Sequence, residues 1–364
     1  MIRFIFALMI SVHGLIHVLG FVKAYNLANV SQLTQAIGKS MGLFWLLAAI
    51  VWMLTAGLLT GHKDAWWMVA IPALLLSQLL IGMHWQDAKF GTTANVIIAL
   101  GVLLGYADWD FKAMVNKELK AFQPTSLSAP KWVTPESVGT LPAIVQKWLY
   151  RSQVVGKEAV QVVELVQKGE MKTEPDGHWI PFDAEQYNTI VKPGFIWQTR
   201  IQMMPLVPVV GRDKYIHGHG NMLIKALALF PIADAKGPAI DRGSLLRNLA
   251  EICWFPAAAL RDYIHWEPLD SLSAKATMTN GGISASGIFR FTPAGDMESF
   301  EAKRYYDRKD GATLEDWLVT VKGYKVFNGV RIGHQSEVTW KLKTGDYTWL
   351  KLEITEIHYN NLRH

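Results

Sequence analysis

The stretch Gly243–Asp262, GSLLRNLAEICWFPAAALRD, decides how the larger part of this chain folds. Ser244 has the chemistry of a helix cap, and Leu245, Leu249 and Ile252 fall on one side of the helix that would follow. Pro256 forces a break after Phe255, because proline cannot donate to the helical ladder. On both sides of this stretch the apolar pattern has period two: Phe195, Trp197, Thr199, Ile201 and Met203 before it, then Ile283, Ala285, Gly287, Phe289 and Phe291, and later Val338, Trp340 and Leu342. Such alternation marks strands with one buried face. Turn chemistry separates the runs at Asn280-Gly281-Gly282, Ala294-Gly295-Asp296, Asn328-Gly329 and Thr344-Gly345-Asp346. The spacing predicts a meander of about ten antiparallel strands between Ala159 and Tyr359, interrupted once by helix. A helix placed there covers the concave face of a curved sheet, which water would otherwise reach.

Upstream, Leu141, Ile144, Val145, Trp148 and Leu149 repeat at helical spacing behind Pro142, so a short amphipathic helix opens this domain and Gly156 ends it. Before it, PTSLSAPKWVTPESVGT reads as a connector. The composition then changes. Phe4–Phe21, Met41–Leu59, Ala65–Met83 and Phe90–Gly105 are four apolar segments, each close to the roughly 20 residues that cross about 30 Å of hydrocarbon. Trp66, Trp67, Trp85 and Trp109 stand at their ends, where indole rings favour the headgroup layer. A cleaved leader is the rival reading of the first segment, but no small-residue cleavage pattern follows it. The expected organisation is a bundle of four transmembrane helices over residues 1–107, a linker over 108–138, and an α+β domain over 139–364 built on a curved antiparallel half-barrel sheet.

Of the 364 residues 50% are hydrophobic, and the excess is concentrated before Asp108, as an integral membrane protein requires. The net charge of +5 is not gathered into a basic block interleaved with aromatics, which argues against nucleic acid as a partner. The single cysteine, Cys253, excludes an internal disulfide and a thiolate metal cluster. Four crossings put both termini on one side, with Arg3, Lys63, Lys112, Lys117 and Lys120 against Lys23, Lys39 and Lys89 opposite. The positive-inside rule then favours a cytoplasmic C-terminal domain.

Polar residues inside the apolar segments are candidate functional groups, since burying them in a bilayer is costly. His13 and His17 share one helix face, His84 ends the third segment with Asp87 just after it, and Asn95 opens the fourth. His13, His17, His84 and Asp87 could form a metal or haem site or a proton relay. The ordinary alternative is hydrogen bonding between helices, with Gly14 and Gly20 allowing close approach.

In the β-rich part, alternation puts Asp213, Tyr215, His217 and His219 on one strand face, a set that could bind zinc or supply a base. Glu251 calls for a cationic partner, Arg247 or Arg304. No Gly-x-Ser-x-Gly elbow, phosphate loop or dinucleotide fingerprint is present, which removes the best-marked hydrolase, nucleotide and NAD classes. If the curved sheet holds an apolar pocket, its lining would be Trp197, Met203, Tyr215, Leu249, Glu251, Trp254, Phe255, Phe289, Arg304 and Trp340, and its occupant a membrane lipid or another apolar small molecule. The remaining readings are a redox protein using the intramembrane histidines and a protein–protein interaction module. The sequence names no cofactor and no oligomeric state.

The strings LPAIVQKWL, RDKYIHGHG, LAEICWFPAA and AKRYY, with Trp340 and Tyr347, resemble an uncharacterised bacterial domain family over about residues 139–359. The order of strands around an inserted helix is also similar to lipoprotein carriers of the LolA and LppX type, half-barrels that hold acyl chains between sheet and helices. That resemblance implies a lipid ligand and a periplasmic domain, the opposite side to the one the charge count favours.

Overall fold

The computed structural model describes residues 2–204, 207–306 and 311–360. The chain forms two compact units, Met1–Met114 and Val115–His364.

In the first unit the four apolar segments are the helices α1 (Ile2–Ala24), α2 (Lys39–Thr60), α3 (Trp66–Met83) and, after a single turn α4 (Trp85–Ala88), the start of α5 (Gly91–Phe122). All four long helices are long and apolar enough to cross a membrane. Their outer faces expose Phe4, Leu8, Leu47, Leu75, Leu79 and Leu100, while Ala48, Trp52, Ala70 and Ile98 turn inward. Water penalises such a surface and hydrocarbon does not. Arg3 donates to the Leu59 carbonyl and Lys112 pairs with Asp64, which gathers the start of α1, the α2–α3 turn and the Lys112 end of α5 at one end of the bundle. At the other end Asp87 accepts from the Thr34 and Gln35 amides and the Thr34 hydroxyl, tying the α1–α2 loop to α4. These hydrogen bonds, that from the Gln35 amide first, hold its carboxyl below the usual range.

α5 runs through Asp108 to Phe122, so the first part of the expected connector is helix. A capping box between Thr134 and Ser137 then starts the turn α6 (Pro135–Val138), and α7 (Ala143–Arg151) follows Pro142.

Thirteen strands follow: β1 (Val162–Met171), β2 (Ile180–Thr189), β3 (Gly194–Met204), β4 (Val207–Ile216), β5 (His219–Ala226), β6 (Phe230–Lys236), β7 (Ile264–Pro268), β8 (Ser273–Asn280), β9 (Ile283–Phe291), β10 (Met297–Tyr306), β11 (Thr313–Phe327), β12 (Val330–Leu342) and β13 (Gly345–Tyr359). They form one antiparallel sheet in the order β6-β5-β4-β3-β2-β1-β13-β12-β11-β10-β9-β8-β7. The expected count of about ten falls short because several turns lack the usual residues. The β5–β6 turn, for example, is made by Leu227 and Ala228 with φ of 54° and 58°, a conformation the sequence does not announce.

This order explains the inserted helix. β6 and β7 are the two edges of the sheet, and the chain must travel between them. It does so through α8 (Pro238–Glu251) and two turns of 3₁₀ helix, Ile252–Trp254 and Pro256–Leu260. α8 starts earlier than expected: Pro238 takes the first helical position after Gly237, and Ser244 lies inside the helix. The break at Phe255 is where Pro256 requires it. α8 packs against β3, β4, β5 and β6 from one wing and against β8, β9 and β10 from the other, so the sheet curls round it into a half-barrel. The wings touch where Gly218 of the β4–β5 turn meets Gly281 of the β8–β9 turn. Between helix and sheet lies a continuous core that includes Trp148, Leu245, Leu249, Phe255, Phe289 and Phe300.

α7 is anchored to the sheet by Asp296, which pairs with Arg151 of α7 and Arg331 of β12 at 3.2 and 3.0 Å. Burial resists ionisation of this carboxyl, but the two guanidinium groups outweigh it and hold it below its ordinary range. A depressed native pKa adds stability above the unfolded value, and that stability is lost as pH falls below about 4. Asp296→Asn is therefore expected to cost about 1 kcal/mol at pH 7 and less at pH 3, measured by urea titration at both.

Candidate functional site

Inside the half-barrel α8 lays a charged residue against the sheet. Arg247 donates through Nε to Glu251 at 2.6 Å, through Nη1 to Asp213 of β4 at 2.7 Å, and through Nη2 to Gln186 of β2 at 2.8 Å. Gln186 closes the ring by donating to Glu251 at 2.6 Å and to Asn188 at 3.1 Å. The guanidinium lies over Phe195 and Trp197, 4.6 and 5.3 Å from the ring centres. Alternation builds this site: Gln186 and Asn188 lie opposite Trp197 and Phe195 in the register, and Asp213 lies opposite Trp197 from the other side. Of the two partners considered for Glu251, the structure selects Arg247, one helical turn away.

Arg304 of β10 is different. It stands over Trp317 at 4.9 Å, and among the described residues no carboxylate lies within ion-pairing distance of it. Burial, reinforced by Arg247 and opposed by Asp213 and Glu251, lowers its pKa to about 10. Gln167, Asn188, Asn248, Trp254 and Trp317 each bury a side-chain N–H that finds no acceptor among the described residues.

The expected pocket residues separate into two groups. Tyr215, Leu249, Trp254, Phe255 and Phe289 belong to the closed core, and Glu251 to the ring around Arg247. Trp340 also belongs to that core and Trp197 lies under Arg247, while Met203 and Arg304 stand outside the core, on β3 and β10. Trp197 donates to Gln167 at 2.8 Å, Met203 is exposed at the end of β3, and Trp340 packs its ring on Tyr306 at 5.0 Å. Tyr306, Leu342 and Leu350 border the core there and remain half-buried. Gln167, Gln186 and Asn188 did not stand out in the sequence. Their signal is polar residues on the inward positions of β1 and β2.

The set Asp213, Tyr215, His217 and His219 does not assemble. Asp213 is held by Arg247, Tyr215 is buried, His217 turns with φ of 54°, and His219 is 83% exposed beside Asp241. A cavity of about 620 Å³ is lined by Glu118, Arg212, Lys214, Lys236 and Asp241. Its cations are paired, Arg212 and Lys214 both with Glu118 at 3.0 and 2.6 Å and Lys236 with Asp234 at 3.1 Å.

In the membrane unit His13 and His17 do meet, through Ser77. His84 is separated from His17 by the ring of Trp45, and Asp87 is engaged in the loop contact described above. The four residues are thus not brought together as one donor set, and no group of three or more His, Cys, Asp or Glu among the described residues is arranged to hold a metal ion.

Four membrane-length apolar helices followed by a curled antiparallel sheet around an inserted helix define the class: a helical bundle joined to a half-barrel domain. Residues 131–352 match the model of a family of unknown function, DUF6544, and the chain belongs to that family. No curated protein matches it. Solved structures similar to it include a putative outer membrane lipoprotein-sorting protein domain from Vibrio parahaemolyticus, at 10% identity over 62% of this chain and 95% of that one, with a TM-score of 0.36. A DUF1329 family protein from Desulfovibrio piger is similar at 8% identity over 64% and 96%, with a TM-score of 0.35. A LolA superfamily protein from Nitrosomonas europaea is similar at 9% identity over 60% and 94%, with a TM-score of 0.33.

Proposed function

We propose that the half-barrel binds an amphipathic molecule, a lipid or another long apolar ligand, and that the four helices anchor it to the bacterial inner membrane. The observation that carries this reading is Arg304, an inward guanidinium whose described contact is the face of Trp317. A cation kept in such a place without a carboxylate is suited to an anionic or acceptor-rich head. The half-buried apolar side chains around Trp197, Tyr306, Leu342 and Leu350 supply a surface for a tail, while the closed core under α8 keeps the sheet in shape.

The test is mass spectrometry of small molecules that copurify with the full chain in mild detergent. The wild type is expected to carry an amphiphile with a carboxylate or phosphate head, and Arg304→Gln to carry about tenfold less of it, the loss of one charge-assisted contact. Identical profiles for the two proteins would sink the reading.

The basic residues Arg3, Lys63, Lys112, Lys117 and Lys120 favour a cytoplasmic half-barrel. A C-terminal reporter active only in the cytoplasm is expected to be active, and one active only in the periplasm to be silent.

A further inference from the structure

The buried hydrogen bonds of the membrane unit assign their own protons. Asn95 donates its amide to Gln78 Oε1 at 3.0 Å, so Oδ1 is the atom that faces His13 Nε2 at 2.9 Å. A carbonyl oxygen only accepts, and His13 must carry its proton on Nε2. His17 Nδ1 faces the carbonyl of His13 at 2.9 Å, so neutral His17 carries its proton on Nδ1 and leaves Nε2 as an acceptor. Ser77 Oγ lies between the rings, 3.2 Å from His13 Nε2 and 2.9 Å from His17 Nε2. The chain therefore has a direction: His13 N–H toward the serine oxygen, and the serine O–H toward His17.

We propose that His13, Ser77 and His17 form a proton-binding relay that holds one exchangeable proton inside the apolar bundle. The incoming proton binds the free lone pair of His13 Nδ1. The Nε2 proton then passes to Ser77 Oγ as the serine proton passes to His17 Nε2. One proton has moved, His17 is the imidazolium, and His13 is neutral again with its proton on Nδ1. The serine hydroxyl then points back to His13 Nε2, and the Asn95 amide turns over so that its N–H and not Oδ1 faces that nitrogen, because two acceptors would otherwise meet at 2.9 Å. From Asn95 the polar contacts continue through Gln78 to Thr92 at 3.2 Å, in the first turn of α5.

The packing favours a proton over a metal or an organic molecule. His13, His17, Ser77 and Asn95 are all buried. α1 and α2 approach so closely that a Cβ on Gly14 would lie 2.7 Å from Trp52 Cβ, and one on Gly20 2.3 Å from the Trp45 ring. Three of the four imidazole nitrogens are already committed to the hydrogen bonds above. The groups facing the pair are Trp52 and Trp45 of α2, at 5.5 and 5.3 Å between rings, Ser77 of α3 and Asn95 of α5. The nearest further titratable group is His84, across Trp45. Such a site would make the membrane unit responsive to protons.

The experiment is a titration of the full chain in lipid nanodiscs, with ¹⁵N-labelled histidine followed by NMR from pH 4 to 9. In the wild type His13 and His17 are expected to change together in one step that takes up a single proton per chain, while His84 changes separately. Ser77→Ala should split the step into two unlinked ones, and Ser77→Thr, which keeps the hydroxyl, should restore it. Independent steps in the wild type, no protonation of either ring over this range, or an unchanged joint step in Ser77→Ala would each overturn the proposal. The wild-type titration decides the matter even if a variant fails to fold.

Discussion

Arg247→Ala is expected to destabilise the half-barrel by about 3–5 kcal/mol, the range for removing one partner from a buried ion network. The alanine leaves Asp213, Glu251 and Gln186 facing one another without the three N–H groups that join them. It also uncovers the rings of Phe195 and Trp197. A loss of that size consumes much of the stability of an ordinary domain. Denaturant unfolding followed by tryptophan fluorescence measures it, and a change below about 1 kcal/mol would show that the ring is not buried as described. Arg304→Gln is the matched control. It removes a cation that bridges no carboxylate among the described residues, and stability should change by less than about 1 kcal/mol. The pair thus separates a residue that holds the fold from one available to a ligand.

Gly281→Val should be the second most damaging substitution, at about 2–4 kcal/mol. Gly281 has φ of 59°, where a side chain costs about 1–2 kcal/mol and a β-branched one more. Its Cβ would also stand 2.7 Å from the Cα of Gly218, a backbone atom that cannot turn aside. The two wings of the sheet would have to separate at the point where they meet. Gly282, also at positive φ, has open space about its Cβ. Gly282→Ala should therefore show the dihedral cost alone, about 1 kcal/mol, and the difference between the two variants reports the wing contact. Equal losses would mean that the contact contributes nothing.

Much of the architecture was legible because it rests on local patterns. Four apolar segments, period-two strands and the break at Pro256 each follow from spacing that a single element imposes on its own residues. Where that local signal failed, the reason is also local. Ser244 looked like a cap, yet Pro238 had already started the helix, and the turn at Leu227 and Ala228 carries no Asn or Gly. The membrane histidines were found as an i, i+4 pair, but Ser77 and Gln78 were hidden within an apolar run and took their meaning only from α1 and α5.

By itself the sequence determined the two-part chain, the half-barrel class, and the belonging of residues 131–352 to a family. Each depends on order along the chain, which local propensity and periodicity record. Only the tertiary structure decided which charges pair. Glu251 sits one turn from Arg247, a pairing the spacing allows, but Asp213 and Gln186 join them only because the curl of the sheet brings β4 and β2 against α8. It likewise placed most of the candidate pocket residues in the closed core, because α8 packs against both wings of the sheet. The proton positions at His13 and His17 were also decided there, since a tautomer is set by partners distant in sequence.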